Sequence, residues 1–253
     1  IMLGALGEPV FRAIFDPLYV WDYLARPYRI VPNTAAAMPE ISADGRIWTI
    51  RLKRGIRFAD DPAFKAKPRE LTAHDYVYAW KRLLDPRMRS PYLWYLNGKL
   101  AGAEPVLARA KADGRLDYDA EISGLKAVDR YTIRLELFEP DYVLQGYLTQ
   151  VGMAAVAREV VEAYGDASGW VMGNPVGTGP YLLKEWRRGQ RIVLEANPGY
   201  REEFFPAAPE NADAATRAVA ASMKGKRLPQ IGRVESSVIE ESSPQLLAFN
   251  SRA

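Results

Sequence analysis

The sequence predicts an α/β protein with mixed sheets. Apolar residues alternate with polar ones over residues 48–52 and again over 131–137, which is typical of half-buried strands. Between them, residues 72–84 have the apolar spacing of an amphipathic helix. Strands and helices follow one another without strict alternation, so the order of elements favours a mixed sheet and more than one subdomain.

The first predicted helix begins near Glu8. Pro9 would stand in the first turn, where a helix tolerates proline because the missing N–H has no partner there. Val10 and Ile14 fall on one face of this helix. Pro17 is expected to end or kink it.

A capping pattern introduces the second helix. Thr72 is suited to the N-cap, and Asp75 stands three residues later, in the place of a capping box. Trp80 lies on its apolar face, and the helix is expected to stop before Pro86. His74 falls in the first turn, where we interpret it as an exposed helix residue rather than a ligand.

The second half of the chain predicts further helices and strands. In order, they are a short helix capped by Asp141, a helix at 156–164, strands at 181–186 and 191–196, a helix at 211–223 with Asn211 as a cap, a strand at 233–239 and a helix from Ser243. A short glycine-containing segment separates the strands at 181–186 and 191–196, which indicates a hairpin.

Composition excludes several classes of protein. The 253 residues carry 34 Lys and Arg against 31 Asp and Glu, and a net charge of +3 is too small to indicate a nucleic-acid binder. No apolar run approaches the ~18 residues that a membrane helix needs. The absence of cysteine excludes disulfides and thiol catalysis. The first residues also lack the pattern of a signal peptide.

The reactive side chains offer little for catalysis. His74 is the one histidine, whereas a triad or a histidine metal site needs further groups close by. The glycine-rich residues 173–180 resemble a phosphate loop, but Pro180 lacks an N–H for a phosphate, so a tight turn is favoured. Within that turn, Gly177 and Gly179 are interpreted as allowing backbone angles that residues with a Cβ resist.

Five motifs occur in a fixed order between residues 30 and 200. They are Ile-Val-Pro-Asn at 30–33, Ser-Ala-Asp-Gly to Phe at 42–58, Leu-Thr-Ala-His-Asp to Asp-Pro at 71–86, Pro-Val-Gly-Thr-Gly-Pro-Tyr at 175–181 and Leu-Glu-Ala-Asn-Pro-Gly-Tyr at 194–200. In this order the chain resembles the family 5 extracellular solute-binding proteins of bacterial ABC importers, the group that includes oligopeptide- and dipeptide-binding proteins.

The resemblance implies a periplasmic-binding-protein-like fold of two lobes that close on a solute. Residues 1–28 and 171–253 would form a discontinuous mixed-sheet domain of the first lobe. Residues 29–170 would form a smaller α/β subdomain inserted in it. Family members usually continue beyond the position of Phe249, so we expect this chain to be an N-terminal lobe fragment that lacks the second lobe and the C-terminal return segment.

The resemblance also implies a function in solute binding, without catalysis. The protein would capture an extracytoplasmic solute, with peptides favoured, and deliver it to the inner-membrane permease subunits of an ABC importer. It would be periplasmic, with its signal peptide not in this chain, and not itself transmembrane. No catalytic residue, cofactor, metal or nucleic-acid partner is expected.

The implied ligand site combines two segments, which are Leu3, Gly4, Ala5 and Leu6 on one side and Tyr92, Trp94 and Tyr95 on the other. Extended backbone in the first segment would pair with the main chain of the ligand, and the rings of the second would form a wall. The plainer alternatives are an ordinary edge strand for the first segment and core or interface packing for the second.

Three other interpretations remain open at this point. The solute could be a nickel complex, haem, an oligosaccharide or an opine. A hydrolase acting on peptides or glycosides would need a convergent set of titratable groups in one cleft, for which carboxylates or Ser and Lys are available, and two buried carboxylates facing each other across a cleft would support it. A structural or chaperone-like module is the third, because a binding protein can expose apolar surface when a lobe is removed. We expect a large apolar patch where the absent C-terminal segment would pack.

Overall fold

A computed structural model describes residues 7–171, 173–239, 246 and 249–251. The helices are α1 (Gly7–Ile14), α2 (Ala73–Leu84), α3 (Glu104–Asp113), α4 (Leu144–Tyr147), α5 (Arg158–Tyr164) and α6 (Ala214–Met223). The strands are β1 (Tyr19–Trp21), β2 (Ile30–Pro32), β3 (Glu40–Ile41), β4 (Ile47–Arg51), β5 (Leu125–Asp129), β6 (Thr132–Glu136), β7 (Tyr181–Arg187), β8 (Arg191–Ala196) and β9 (Arg233–Ser237). The predicted α/β class with several sheets is confirmed.

The strands form three sheets, with the orders β1-β2, β3-β4-β6-β5 and β7-β8-β9. The expected mixture of strand directions is not seen, because every strand pair in the described residues is antiparallel. For two of these pairs the physical reason lies in the connections. Strands β5 and β6, like β7 and β8, are joined by short turns, and parallel neighbours would need a long crossover instead.

The larger core lies between the four-stranded sheet and α2. Ile50 opposes Ile133 across the β4–β6 ladder, and both side chains are fully buried, as the alternation in the sequence predicts. Trp48 and Trp80 belong to the same buried cluster, so the strand and the helix that carry them share one core.

The start of α2 is the predicted capping box. Asp75 Oδ2 accepts a hydrogen bond from the backbone N–H of Thr72 at 2.7 Å, and the box is complete in both directions. Arg69 Nη2 donates to the other carboxylate oxygen of Asp75 at 2.6 Å. His74 is exposed in the same turn, as predicted.

A smaller core joins α1 to the three-stranded sheet. Ile14 of α1 is buried together with Ile192 and Leu194 of β8. The predicted hairpin is confirmed as β7 and β8. Helix α1 ends at Ile14, three residues before Pro17, and strand β9 ends at Ser237.

The glycines of the Gly-Thr-Gly-Pro turn serve another purpose than the one predicted. Neither Gly177 nor Gly179 has a positive φ. Instead, a Cβ on Gly177 would lie 2.0 Å from the carbonyl oxygen of Ile14, and one on Gly179 would lie 2.6 Å from the same atom. The turn therefore needs glycine because it packs directly on the end of α1, and Gly179 N–H donates to Ile14 O at 2.8 Å.

Two predicted helices begin later than expected. Helix α5 begins at Arg158 rather than near residue 156. Helix α6 begins at Ala214, and its N-cap is Asp213, whose side chain accepts from Thr216 N–H at 2.7 Å. The predicted cap, Asn211, donates instead to the carbonyl oxygen of Arg26. The start of the helix predicted from Ser243 lies outside the described residues.

The predicted division into residues 1–28 with 171–253 and an inserted unit of 29–170 stays a prediction. Over the described part of the chain, no helix is long and apolar enough to cross a membrane.

Candidate functional site

Four aromatic side chains, Tyr92, Trp94, Tyr95 and Tyr147, pack together and are called the ring cluster below. Tyr95 stacks on Tyr92 with ring centroids 5.4 Å apart and on Tyr147 at 5.0 Å. Trp94 meets the Tyr147 ring edge-on at 5.1 Å. Offset and edge-to-face contacts of this kind are favourable for aromatic rings, so the four residues hold one another in place.

Local turns bring three of these rings together. Tyr92 N–H donates to Ser90 Oγ at 3.2 Å, and the 3₁₀ turn Leu93–Tyr95 follows directly. The ring of Tyr92 lies on the backbone of Gly152, where a Cβ would come within 2.7 Å of its Cδ2 atom. A glycine at that position is therefore what lets the ring approach.

The ring cluster has a buried side and an exposed side. Tyr95 is 5% exposed, whereas Trp94 is 55% exposed. Tyr142 and Val143, which precede α4, are also exposed apolar residues. The ring cluster therefore presents one largely exposed aromatic face to water, that of Trp94.

The charged groups beside the ring cluster are paired. Lys99 Nζ lies 2.6 Å from Asp141 Oδ2 and 4.4 Å from the centre of the Tyr147 ring. On α1, Arg12 Nη2 lies 2.7 Å from Glu8 Oε1 and also donates to Gln150 Oε1 at 3.4 Å. Because both cations have a carboxylate partner, the wall presents aromatic surface without a net charge.

Burial raises the pKa of the Tyr95 phenol to about 12, and the neighbouring Tyr92 and Glu8 add to the shift. The Tyr95 phenol therefore stays protonated at neutral pH and contributes an uncharged ring to the cluster.

The structure brings together part of the predicted site. Tyr92, Trp94 and Tyr95 lie in one cluster, although their role in ligand contact stays a prediction. The other predicted residues, Leu3, Gly4, Ala5 and Leu6, lie outside the described residues. They directly precede Gly7, the first residue of α1, and the contact of Arg12 with Gln150 brings this helix to the segment that follows Tyr147.

Sequence reasoning missed Tyr147, Lys99 and Gly152. Tyr147 lies in the short helix that was predicted after Asp141, but nothing in that pattern connects it with Tyr95. The only available signal was the density of aromatic residues in both segments, which does not specify a contact. In the described ranges, no group of three or more His, Asp or Glu side chains could hold a metal ion.

The chain belongs to a known class of protein, the bacterial solute-binding proteins. Residues 29–253 match the family described as "Bacterial extracellular solute-binding proteins, family 5 Middle". The chain belongs to this family, as its motifs indicate.

Two named relatives are consistent with membership of this family. The chain is 33% identical over 199 residues to the periplasmic oligopeptide-binding protein OppA of Salmonella typhimurium, covering 78% of this chain and 33% of that protein. It is 33% identical over 197 residues to the periplasmic murein peptide-binding protein MppA of Escherichia coli, covering 78% of this chain and 33% of that protein. The chain thus spans about a third of the length of these relatives.

Solved structures show the same fold. OppA of Haemophilus influenzae, in complex with the peptide RPPGFSPFR, matches with a TM-score of 0.71 and 24% identity over 98% of this chain and 40% of that chain. The pheromone receptor PrgZ matches with a TM-score of 0.71 and 18% identity over 99% of this chain and 42% of that chain. The described chain therefore corresponds to part of the two-lobed fold of these longer proteins.

Proposed function

We propose that the protein containing this chain is the substrate-binding component of an ABC importer. It captures peptides in the periplasm and delivers them to the permease subunits in the inner membrane. Membership of family 5 supports the class of function, and relatives named for oligopeptide and murein peptide binding support the solute. The observation that carries the proposal in this chain is the ring cluster, an uncharged aromatic wall beside the start of α1.

In this proposal the ring cluster packs against apolar parts of the peptide. Trp94 offers the exposed face, and Tyr95 and Tyr147 support it from below. Leu3, Gly4, Ala5 and Leu6 pair with the main chain of the peptide, which gives affinity without selecting a side chain. The site would be completed by a second lobe that closes over the first.

The same proposal assigns the two units of the first lobe. Residues 1–28 with 171–253 form the discontinuous domain, and residues 29–170 form the inserted subdomain. The two hydrophobic clusters support this division in part, because the smaller one joins α1 only to the sheet of β7, β8 and β9.

The protein acts without changing its solute. A hydrolase would need carboxylates that face each other in a cleft, but the buried Asp16, Asp75 and Asp85 each lie within 2.8 Å of an arginine nitrogen. A carboxylate that is ion-paired in this way holds the fold together and has no free oxygen pair for acid–base work. These pairs favour binding over catalysis.

Calorimetry on the full-length natural protein with a set of tripeptides and tetrapeptides tests the proposal. We expect saturable binding of peptides, and we expect Trp94→Ala to weaken it about tenfold by removing the exposed ring. Trp21→Ala is the matched control, because Trp21 is 50% exposed and lies on β1 outside the ring cluster.

Two results would contradict parts of the proposal. Binding of a nickel complex, haem, an oligosaccharide or an opine, with no binding of any peptide, would overturn the peptide assignment. Equal effects of Trp94→Ala and Trp21→Ala on peptide affinity would remove the ring cluster from the site.

A further inference from the structure

A cavity separate from the ring cluster lies against α1. It is an apolar cavity with a volume of about 180 Å³. Its walls include Val10 and Phe11 of α1, Val161 of α5 and Leu183 and Trp186 of β7. An apolar cavity of about 150 Å³ is large enough to hold benzene, so this one has room for an aromatic ring or a short alkyl chain.

One charged residue, Arg82 of α2, also lines this cavity. Arg82 is 8% exposed. Its Nη2 atom donates to the carbonyl oxygen of Gly169 and to Met88 Sδ, while its Nε atom is buried without a hydrogen-bond partner in the described part of the chain. A guanidinium that keeps an unused donor in an apolar surrounding is costly, so it favours an acceptor supplied from outside.

Other arginines next to the core show what Arg82 lacks. Arg69 and Arg201 each lie 2.6 Å from a buried carboxylate, that of Asp75 and that of Asp16. Arg82 has no such ion pair with any described carboxylate, and its oxygen acceptor is a neutral carbonyl group. Its positive charge is therefore not neutralised beside the cavity, which is a costly arrangement for a buried ion.

We propose that this cavity binds a small apolar monocarboxylate, with the carboxylate on Arg82 and the hydrocarbon body among the side chains of α1, α5 and β7. The planar fork of a guanidinium matches a carboxylate, and charge-assisted hydrogen bonds of this type are about twice as strong as neutral ones. The size of the cavity limits the body to about one aromatic ring or a short chain.

This site is distinct from the ring cluster. Glu8 and Arg12 lie on the side of α1 that contacts Gln150, whereas Val10 and Phe11 line the cavity. No residue of the ring cluster lines the cavity. The carboxylate site is therefore independent of the proposed peptide site and can be tested separately.

The test measures octanoate and 1-octanol binding to the full-length natural protein, by calorimetry and by the shift in melting temperature. The two probes share an alkyl chain and differ in charge. We expect octanoate to bind at least about tenfold more tightly than 1-octanol, since charge-assisted hydrogen bonds are about twice as strong as neutral ones. Arg82→Met should abolish this preference, and Arg82→Lys should retain part of it.

A second variant keeps the test decisive if Arg82→Met does not fold. Val161→Trp fills the cavity from α5, and we expect it to abolish octanoate binding while peptide binding persists. Equal affinity for octanoate and 1-octanol would overturn the role of Arg82. Octanoate binding that survives Val161→Trp would place the ligand elsewhere and contradict the proposed site. The absence of any octanoate binding would overturn the proposal. That result is expected if polypeptide from the rest of the natural protein fills the cavity.

Discussion

Arg201 Nη1 donates a hydrogen bond to Asp16 Oδ2 across 2.6 Å, between residues 185 positions apart in the chain. Both side chains are largely buried. Thr178 Oγ1 donates to the same oxygen at 3.0 Å, and Asn33 Nδ2 donates to Oδ1 at 3.3 Å. Burial lowers the pKa of the Arg201 guanidinium, but Asp16, Tyr200 and Glu203 together outweigh burial, so the pKa is raised. Asp16 thus joins the end of α1 to three separate parts of the chain.

Arg201→Met should lower the free energy of unfolding by about 3–5 kcal/mol, because it leaves Asp16 buried without its countercharge. Urea denaturation measures the effect. Arg109→Met is the control, since Arg109 and Asp113 form an exposed pair at 3.4 Å whose loss should cost less than about 1 kcal/mol. Similar losses in both variants would show that the Asp16–Arg201 contact adds little.

The contact of the Gly-Thr-Gly-Pro turn with α1 predicts a steric effect. Gly179→Ala should lower the free energy of unfolding by about 2 kcal/mol or more, because its Cβ would lie 2.6 Å from Ile14 O. Gly146→Ala in α4 is the matched control. Its Cβ has no neighbour within 4 Å, and alanine favours a helix over glycine by up to about 1 kcal/mol, so this variant should be neutral or stabilising. A neutral Gly179→Ala variant would contradict the proposed reason for glycine in the turn.

Elements that depend on neighbouring residues could be predicted from the sequence. The capping box of Thr72 and Asp75 spans four residues, and the β7–β8 hairpin is closed by a short turn. The alternation in β4 and β6 also reflects a local rule, since each strand has one buried face. Such patterns are visible because cause and consequence lie within a few positions of the chain.

Contacts between residues far apart in the chain left no pattern in the sequence from which they could be predicted. Neither Asp16 nor Arg201 differs in its sequence surroundings from a surface residue, so the network that joins them was not expected. The same holds for Tyr147, whose ring completes the cluster from a separate helix. Gly177 was recognised as necessary, but the close approach of Ile14 O depends on packing that spacing alone does not show.

Asp75 combines a helix cap with a buried ion pair, and its removal should cost more than the loss of a cap alone. Asp75→Ala leaves Thr72 N–H without its acceptor and removes one of the two carboxylates that pair with Arg69, while Glu159 stays 2.8 Å from Arg69 Nε. We expect a loss of about 3 kcal/mol in the free energy of unfolding, from the cap and the charge-assisted hydrogen bonds together. Asp213→Ala removes the exposed cap of α6, which has no ion pair to lose within the described residues, and should cost clearly less. Chemical denaturation of both variants gives the comparison, and a larger loss for Asp213→Ala would contradict it.

The raised pKa of Tyr95 predicts a dependence of stability on alkaline pH. The fold holds the phenolic proton up to a pKa of about 12, whereas an unfolded tyrosine releases it near its ordinary value of 10.0. Because the folded state binds this proton more tightly, the contribution is complete below pH 10 and is lost as the pH rises from 10 to 12.

We therefore expect the wild type to lose about 1 kcal/mol more than Tyr95→Phe between pH 9 and pH 11, since the phenylalanine ring keeps the stacking but has no proton to release. Urea denaturation at both pH values measures this difference, and comparison with the variant cancels the contribution of the other buried tyrosines. Tyr23→Phe is the control, because Tyr23 is exposed and lies outside the ring cluster. If Tyr95→Phe and Tyr23→Phe lose stability equally over this range, then Tyr95 is not held protonated by its burial in the cluster.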